Sequence, residues 1–326
     1  MADWTKTVDP GGTGDYSSLS LAEAAAPGAG NDIYISCFSS DGSDDTTAVT
    51  FSGTGDLVEV TGSDFPSDGV WDDTKYVIKS SNTRSITISE QYVNIINIQF
   101  DHTGTSSSVY GCIIFSGVEE GGSGHIIDSC IFIGHLSGPS CANDYAIRLS
   151  DSDARGIVIK NNLINGFLNV DDTAKLNHGI LSASSGSVAE IYNNTICYCH
   201  IGIASNSNYD LINNAVFNNI DDIDGAYNSL SYNAMDQGKA EGTNTVDISA
   251  TWDSTCFTDT DGLGPDWSVQ DTDSPLYHAG IAISGLTTDI IGTTWNDPPS
   301  IGAFEYVSAG GISIPVSMHH FRQHRR

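Results

Sequence analysis

The stretch Val158–Phe167, VIKNNLINGF, sets two adjacent asparagines inside an apolar run of strand character. Asparagine is depleted in strands and favoured in turns, because its short amide competes for backbone hydrogen bonds. The chain repeats the device in EIYNNTICYC, with Asn193 and Asn194, and in DLINNAVFNN, with Asn213 and Asn214. IIDSCIF and IINIQF are weaker upstream relatives. Aligned on the apolar residue before the pair, the units begin at Ile95, Ile127, Ile159, Ile191 and Leu211, in three steps of 32 and one of 20. A second motif keeps pace in YGCIIFSG, DYAIRLSD, NHGILSAS and HIGIASNS, centred on Ile113, Ile147, Ile180 and Ile203. Each unit therefore carries at least two short strands, with the variable length between them. A near-constant period of this size marks a stacked repeat.

One such unit cannot bury its apolar face alone. Stacking each strand on its equivalent in the next coil solves this, and inward residues then form columns along a continuous core. Parallel pairing needs a long return connection, which the rest of each coil supplies. The expected fold is all-β, a right-handed parallel β-helix solenoid. In that fold Asn97, Asn161, Asn193 and Asn213 share one column, with Ser129 among them, and Asn162, Asn194 and Asn214 form the next. At a tight bend asparagine tolerates the left-handed backbone region. Turned inward, its amide bonds to a neighbouring coil, so the pairs read as a structural ladder.

Composition agrees. Strand-like runs punctuated by Gly, Asn, Asp and Ser dominate, and the one short helical candidate is Ser18–Ala26, SLSLAEAAA. The chain holds 41 Asp and Glu against 12 Lys and Arg, a net charge of −29. Such a field repels polyanions, so nucleic acid is not an expected partner. No run approaches the 18 apolar residues of a membrane span, so membrane insertion is not expected. The polar N-terminus lacks the pattern of a secretory signal, which suggests cytoplasmic synthesis. Seven cysteines without framework spacing read as buried reduced thiols. The cluster Cys197, Cys199 and His200 is better explained by a strand face than by a metal.

The unit I-x-N-N-x-I, paired with G-I-x-x-S, resembles the repeat of pectin-lyase-like β-helix proteins. The opening TVDPGGTGDYSSLSLAEAA resembles their start, and DWSVQDTDSPLYHAG with TDIIGTTWNDPPSIGAFEY resembles their closing region. The resemblance implies an N-terminal cap with a short helix and first strand over 1–36, and coils over 37–245. It implies a closing region over 246–307. Residues 308–326 depart from the pattern: a SAGG spacer leads to ISIPVSMHHFRQHRR, an apolar then basic segment. Ile314, Pro315, His319, His320, Phe321 and Arg322 are its candidate docking residues, for an acidic surface or for strand addition to a partner's sheet.

Members of that fold that are enzymes hold an extended sugar polymer along one sheet face. Aligning the second motif places Tyr110, Asp144, Asn177 and His200 in one column, with Arg148 and His178 close by. Tyr110, Asn177, His178 and His200 are candidates for contacts with a glycan. A hydrolase needs two carboxylates at a fixed spacing, one with a raised pKa. Asp144, Asp151, Asp171, Asp172, Asp221, Asp222 and Asp224 are candidates, with Arg148 as a cation. A uronate lyase would add calcium and a basic proton acceptor. Asp259 and Asp261, in DTDG, form only half of a calcium-loop pattern. No nucleophile elbow and no phosphate-cradling loop occurs.

The expected function is accordingly a non-catalytic, glycan-binding or structural β-helix without a required cofactor. By analogy with viral β-helices it would serve in a virion or other extracellular assembly as a spike, fibre or decoration protein. Its partners would be glycans or neighbouring subunits, a homo-oligomer among them. The alternative is a polysaccharide lyase or glycoside hydrolase of the same fold.

Overall fold

The computed structural model describes residues 3–28, 30–53, 56–105, 109–117, 124–136, 144–150, 155–169, 176–205, 208–237, 242–249, 252–260 and 266–306. Among these residues, three parallel sheets of nine, eight and seven strands run the length of a rod, and from Leu57–Gly62 to Ala234–Met235 successive strands fall in successive sheets. Sheet A begins with Trp4–Val8 and Asp32–Cys37 and ends with Ser229–Ser231. Sheet B runs from Val77–Ser81 to Val246–Asp247, and sheet C from Val49–Phe51 to Asp221–Gly225. Parallel strands joined through such crossovers close with right-handed chirality.

The register follows the sequence alignment. Ile95 pairs with Ile127, Ile127 with Ile159, Ile159 with Ile191 and Ile191 with Leu211. On sheet C, Ile113, Ile147, Ile180 and Ile203 stand in one fully buried column. Rungs of like side chains then pack face to face, as Phe100 and Phe132 do with ring centroids 4.7 Å apart. Burying one isoleucine per rung contributes about 2 kcal/mol.

The two asparagines of each pair have different tasks. The first makes the bend between sheets A and B: Asn97, Asn161, Asn193 and Asn213 have φ of 57, 55, 51 and 58°, and Ser129 and Tyr232 share the conformation. The second turns inward. Asn162, Asn194, Asn214 and Asn233 are fully buried. Asn194 Nδ2 donates to Ile159 O at 2.9 Å and to Asn214 Oδ1 at 2.9 Å, while its Oδ1 accepts from Asn162 N at 3.0 Å. Asn214 and Asn233 repeat these bonds one and two coils on. The hydrogen-bonded ladder is thus the neighbouring column, extended by Asn233. The first column carries bends, joined directly only where Asn213 Nδ2 reaches Asn193 Oδ1 at 3.2 Å. Asn218 and Asn219 repeat the arrangement at the corner from sheet B to sheet C. Asn218 has φ 52°, and Asn219 Oδ1 accepts from Cys199 N at 2.8 Å.

The helix Leu19–Ala25, capped by Ser18, buries Leu19 and Ala22 and packs on the first strands of sheets A and C. The C-terminal region does not continue the stack. Phe257, Trp267, Leu276, Ile301 and Phe304 pack with Ile131, Leu163, Cys197 and Phe217 of sheet B, in a cluster separate from the solenoid core. From there it is tied to the bends. Gly302 N donates to Asn213 O at 2.8 Å, Ala303 N to Thr195 Oγ1 at 2.9 Å, and Asn161 Nδ2 to Thr288 O at 3.1 Å. It is a strap along the side of the rod.

Candidate functional site

The polar residues expected on sheet C divide into an inner and an outer set. Strands of this sheet slip their pleat by one residue. A Cβ added to Gly179 would meet Ile196 Cγ2 at 2.8 Å, and one on Gly202 would meet Val216 Cγ1 at 2.5 Å. Positions 179 and 202 therefore face the core, as Ile180 and Ile203 after them do. The flanking column Arg84, Gly111, Tyr145, His178, Ile201 and Asp221 faces outward. So does the column holding Ile114, Arg148, Leu181, Ala204 and Asp224.

Asp144 and Asn177 belong to the inner set. Asp144 is 1% exposed and Asn177 fully buried. Asp144 Oδ1 accepts from Tyr110 N at 2.9 Å, and Asn177 Oδ1 accepts from Asp144 N at 3.1 Å. Each side chain holds the backbone of the preceding coil, as the Asn162 ladder does at its own corner. His102 Nε2 lies 3.5 Å from Asp144 Oδ2, and its Nδ1 is 2.9 Å from Ser80 Oγ. This Ser-His-Asp series is enclosed, with Ser80 3% and His102 0% exposed, so it offers no nucleophile to a substrate. Asp144 and Asn177 thus both support the coil corner.

The outer set forms a band across several coils. The Arg148 guanidinium sits 5.7 Å from the centre of the Tyr145 ring. Burial pushes the Tyr145 hydroxyl up to about 12, against the opposing pull of Arg84 and Arg148. Burial lowers His178 to about 4, and His200 and Arg148 add to the shift. His200 is lowered by burial, opposed by Asp221. Both imidazoles are neutral at pH 7, and the phenol keeps its proton. Arg84 and Arg148 make no ion pair with a described carboxylate, whereas Lys6, Lys79 and Lys160 all do.

Within this band, buried polar atoms lack partners among the described residues. They are Tyr145 Oη, Arg148 Nε, His178 Nδ1 and His200 Nδ1, with Asn177 Nδ2 beside them. Leaving a buried polar group unpaired costs about 1–3 kcal/mol, and native folds rarely tolerate several together. Above these atoms lie half-buried Tyr110, Arg148 and Asp221 and exposed Arg84 and Asp224. Neutral imidazoles, a phenol and guanidinium groups in one band supply donors and acceptors suited to hydroxylated ligands.

Asp221 and Asp224 both face outward on the last strand of sheet C. Between them lies Asp222, another of the candidate carboxylates. It is 4% exposed, faces Asp236, and accepts from Asp236 N at 3.1 Å and Asn219 Nδ2 at 3.1 Å. Burial, with the Asp236 carboxyl beside it, raises its pKa to about 8. The pair points into the rod, away from the outer face. Cys197 and Cys199 also fail to form a shared face with His200. Cys197 packs under the strap and Cys199 in the solenoid core, where burial raises both thiols. Asp151, Asp171, Asp172, Asp261, the side chain of Asp259 and the six tail candidates lie outside the described residues.

No protein-family model matches the chain, and no curated protein does. Among solved structures, the crystal structure of pectate lyase Pel9A aligns over 94% of this chain and 97% of that chain, at 15% identity and a TM-score of 0.40. The three stacked parallel sheets themselves make the chain a right-handed parallel β-helix.

Proposed function

We propose that the protein binds a saccharide along the outer face of sheet C, without catalysis, as one component of a larger assembly. The observation that carries this reading is the band of partnerless buried polar atoms around Tyr145, Arg148, His178 and His200. Sugar hydroxyls both donate and accept, so they complement neutral imidazoles and a guanidinium at the same time. A rigid scaffold holds these groups in place before binding, which limits the entropy lost on association. Two of the carboxylates that a hydrolase could use are engaged elsewhere, which leaves Asp221 and Asp224 to the enzymatic alternative. Asp144 is committed to the coil corner and Asp222 to Asp236, both away from the face.

Calorimetric titration against a panel of oligosaccharides tests the reading. At least one class is expected to bind, to remain uncleaved by chromatography, and to bind about tenfold or more weakly to Arg148→Ala. Binding that is indifferent to Arg148→Ala and to His200→Ala would place the ligand elsewhere. Release of shorter products would make the protein an enzyme.

A further inference from the structure

The outward polar groups of sheet C form one line along the rod, and its charge changes from end to end. Arg84, Gly111, Tyr145, His178, Ile201 and Asp221 pair in turn, five rungs from first to last. At about 4.8 Å per rung the line is about 24 Å long. Gly111 lets its neighbours meet. A Cβ there would touch Tyr145 Cδ2 at 2.5 Å, so the Tyr145 ring lies back over Gly111, toward Arg84. After burial itself, Arg84 is the strongest influence on the Tyr145 hydroxyl, and Arg148 is the next. The Arg148 guanidinium sits 5.7 Å from the centre of the same ring. Farther along, beyond the effect of burial, His200 and Arg148 disfavour the charged form of His178, and Asp221 favours that of His200. Each group in the line thus acts on the next.

Two guanidinium groups bracket one phenol at the first end, and two neutral imidazoles hold the middle. Asp221 and, in the adjacent outward column, Asp224 close the far end. Among the described residues neither arginine has an ion-pair partner, on a chain with 41 Asp and Glu.

We propose that the saccharide on this face carries one acidic residue, at one end only, and lies along the rod with that carboxylate between Arg84 and Arg148. Such a ligand presupposes the saccharide-binding face proposed above, and gives it charge and direction. A guanidinium presents a planar fork of N–H donors that matches a carboxylate, and two of them at one ring fix its position. A neutral imidazole offers one donor and one acceptor nitrogen, which suits hydroxyls and gains nothing from a second carboxylate. At the far end Asp221 and Asp224 repel one. The net charge of −29 opposes any polyanion besides. A saccharide acidic at every residue therefore gains at the arginines and loses along the rest of the line. One with a single terminal acid only gains. Reversed, that ligand would set its carboxylate against Asp221 and Asp224 and leave both arginines unpaired, so one orientation is held. Rejection at the far end contributes to specificity as attraction at the near end does.

Calorimetric titration of the full chain with matched pentasaccharides tests this. Each set holds a neutral sugar, the same sugar with one terminal residue oxidised to a uronate, and the fully oxidised penta-uronate. For at least one set, the single-uronate form should bind about tenfold or more tightly than the neutral form, and more tightly than the penta-uronate. Arg84→Gln, at an exposed position with no described ion pair to lose, should bring the single-uronate form within about twofold of the neutral one. Asp221→Asn combined with Asp224→Asn should raise penta-uronate affinity several-fold. Equal binding of the neutral and single-uronate forms, or a preference that survives Arg84→Gln, would overturn the proposal and leave saccharide binding on this face intact. So would tighter binding of the penta-uronate than of the single-uronate form, or a penta-uronate affinity unmoved by the two aspartate changes. No binding by any member of any set would overturn both.

Discussion

Two polar regions of the rod are equally buried and oppositely organised. At the corner of sheets A and B, the amides of Asn162, Asn194 and Asn214 exchange hydrogen bonds with each other and with carbonyls one coil away. On the outer face of sheet C, Tyr145, Arg148, His178 and His200 each keep a buried polar atom without a partner among the described residues. Burial alone therefore does not separate structure from function in this fold. Satisfaction does. A paired amide is a rung of the scaffold; a cluster of unpaired donors and acceptors is a place prepared for something else.

The sharpest way to break this contrast is Asn194→Ala. It strips Asn162 N–H and Ile159 O of buried partners and leaves a gap in the ladder. The expected loss is about 4 kcal/mol, with unequal loss along the stack, since rungs interact mainly with neighbours. Chemical denaturation with hydrogen exchange reads both. A loss below about 1 kcal/mol would mean the ladder is incidental.

A smaller effect concerns the end of the rod, where Asp222 faces Asp236. The folded pKa of Asp222 lies near 8, above the ordinary carboxyl value, so the folded state holds a proton that the unfolded state releases. Stability contributed by that proton is complete below about pH 4 and is lost as pH rises through about 8. Between pH 6.5 and 8 alone, denaturation midpoints should fall by the equivalent of about 2 kcal/mol. Asp222→Asn, which carries its N–H permanently, should flatten the fall. His125 and His178, buried and neutral, act in the opposite sense below pH 6.5, so the test belongs above that value.

These expectations also show what the sequence disclosed. The period of 32 set the register of sheet A because each coil must present the same column to its neighbours. Which asparagine turns inward was less legible: both members of a pair are the same residue, and only the backbone twist at the first decides. Asn233 escaped because Tyr232 precedes it, where the left-handed bend is filled by an aromatic residue. Asp144 and Asn177 looked functional because alignment reports columns, not direction. The slipped pleat at Gly179 and Gly202, invisible to a strict alternation, sends their neighbours outward and leaves them at the corner. The path of the strap was not readable either, since a motif that resembles a closing region does not say which face it covers. Asn193→Gly tests the bend directly. Glycine accepts φ of 51° without strain, so the loss should be about 1 kcal/mol or less, against the much larger loss at Asn194.

The smallest expected change in stability is the most informative for function. His178→Leu removes a buried imidazole whose Nδ1 has no described partner. Were His178 part of the scaffold, the change would cost as much as a broken ladder bond. On the present reading, only a bond to the Asp144 backbone is lost and an apolar side chain fills the same space. Stability should then stay within about 1 kcal/mol of the parent or rise, because replacing an unpaired polar group by an apolar one relieves its desolvation cost. Saccharide affinity should fall in the same variant. Rising stability with falling affinity is the mark of a binding surface maintained against the preference of the fold. The parent's affinity should be level between pH 8 and 5 and weaken toward pH 4, where His178 takes up a proton next to Arg148. A variant that is destabilised by several kcal/mol, with binding unchanged, would move His178 from the ligand face to the scaffold.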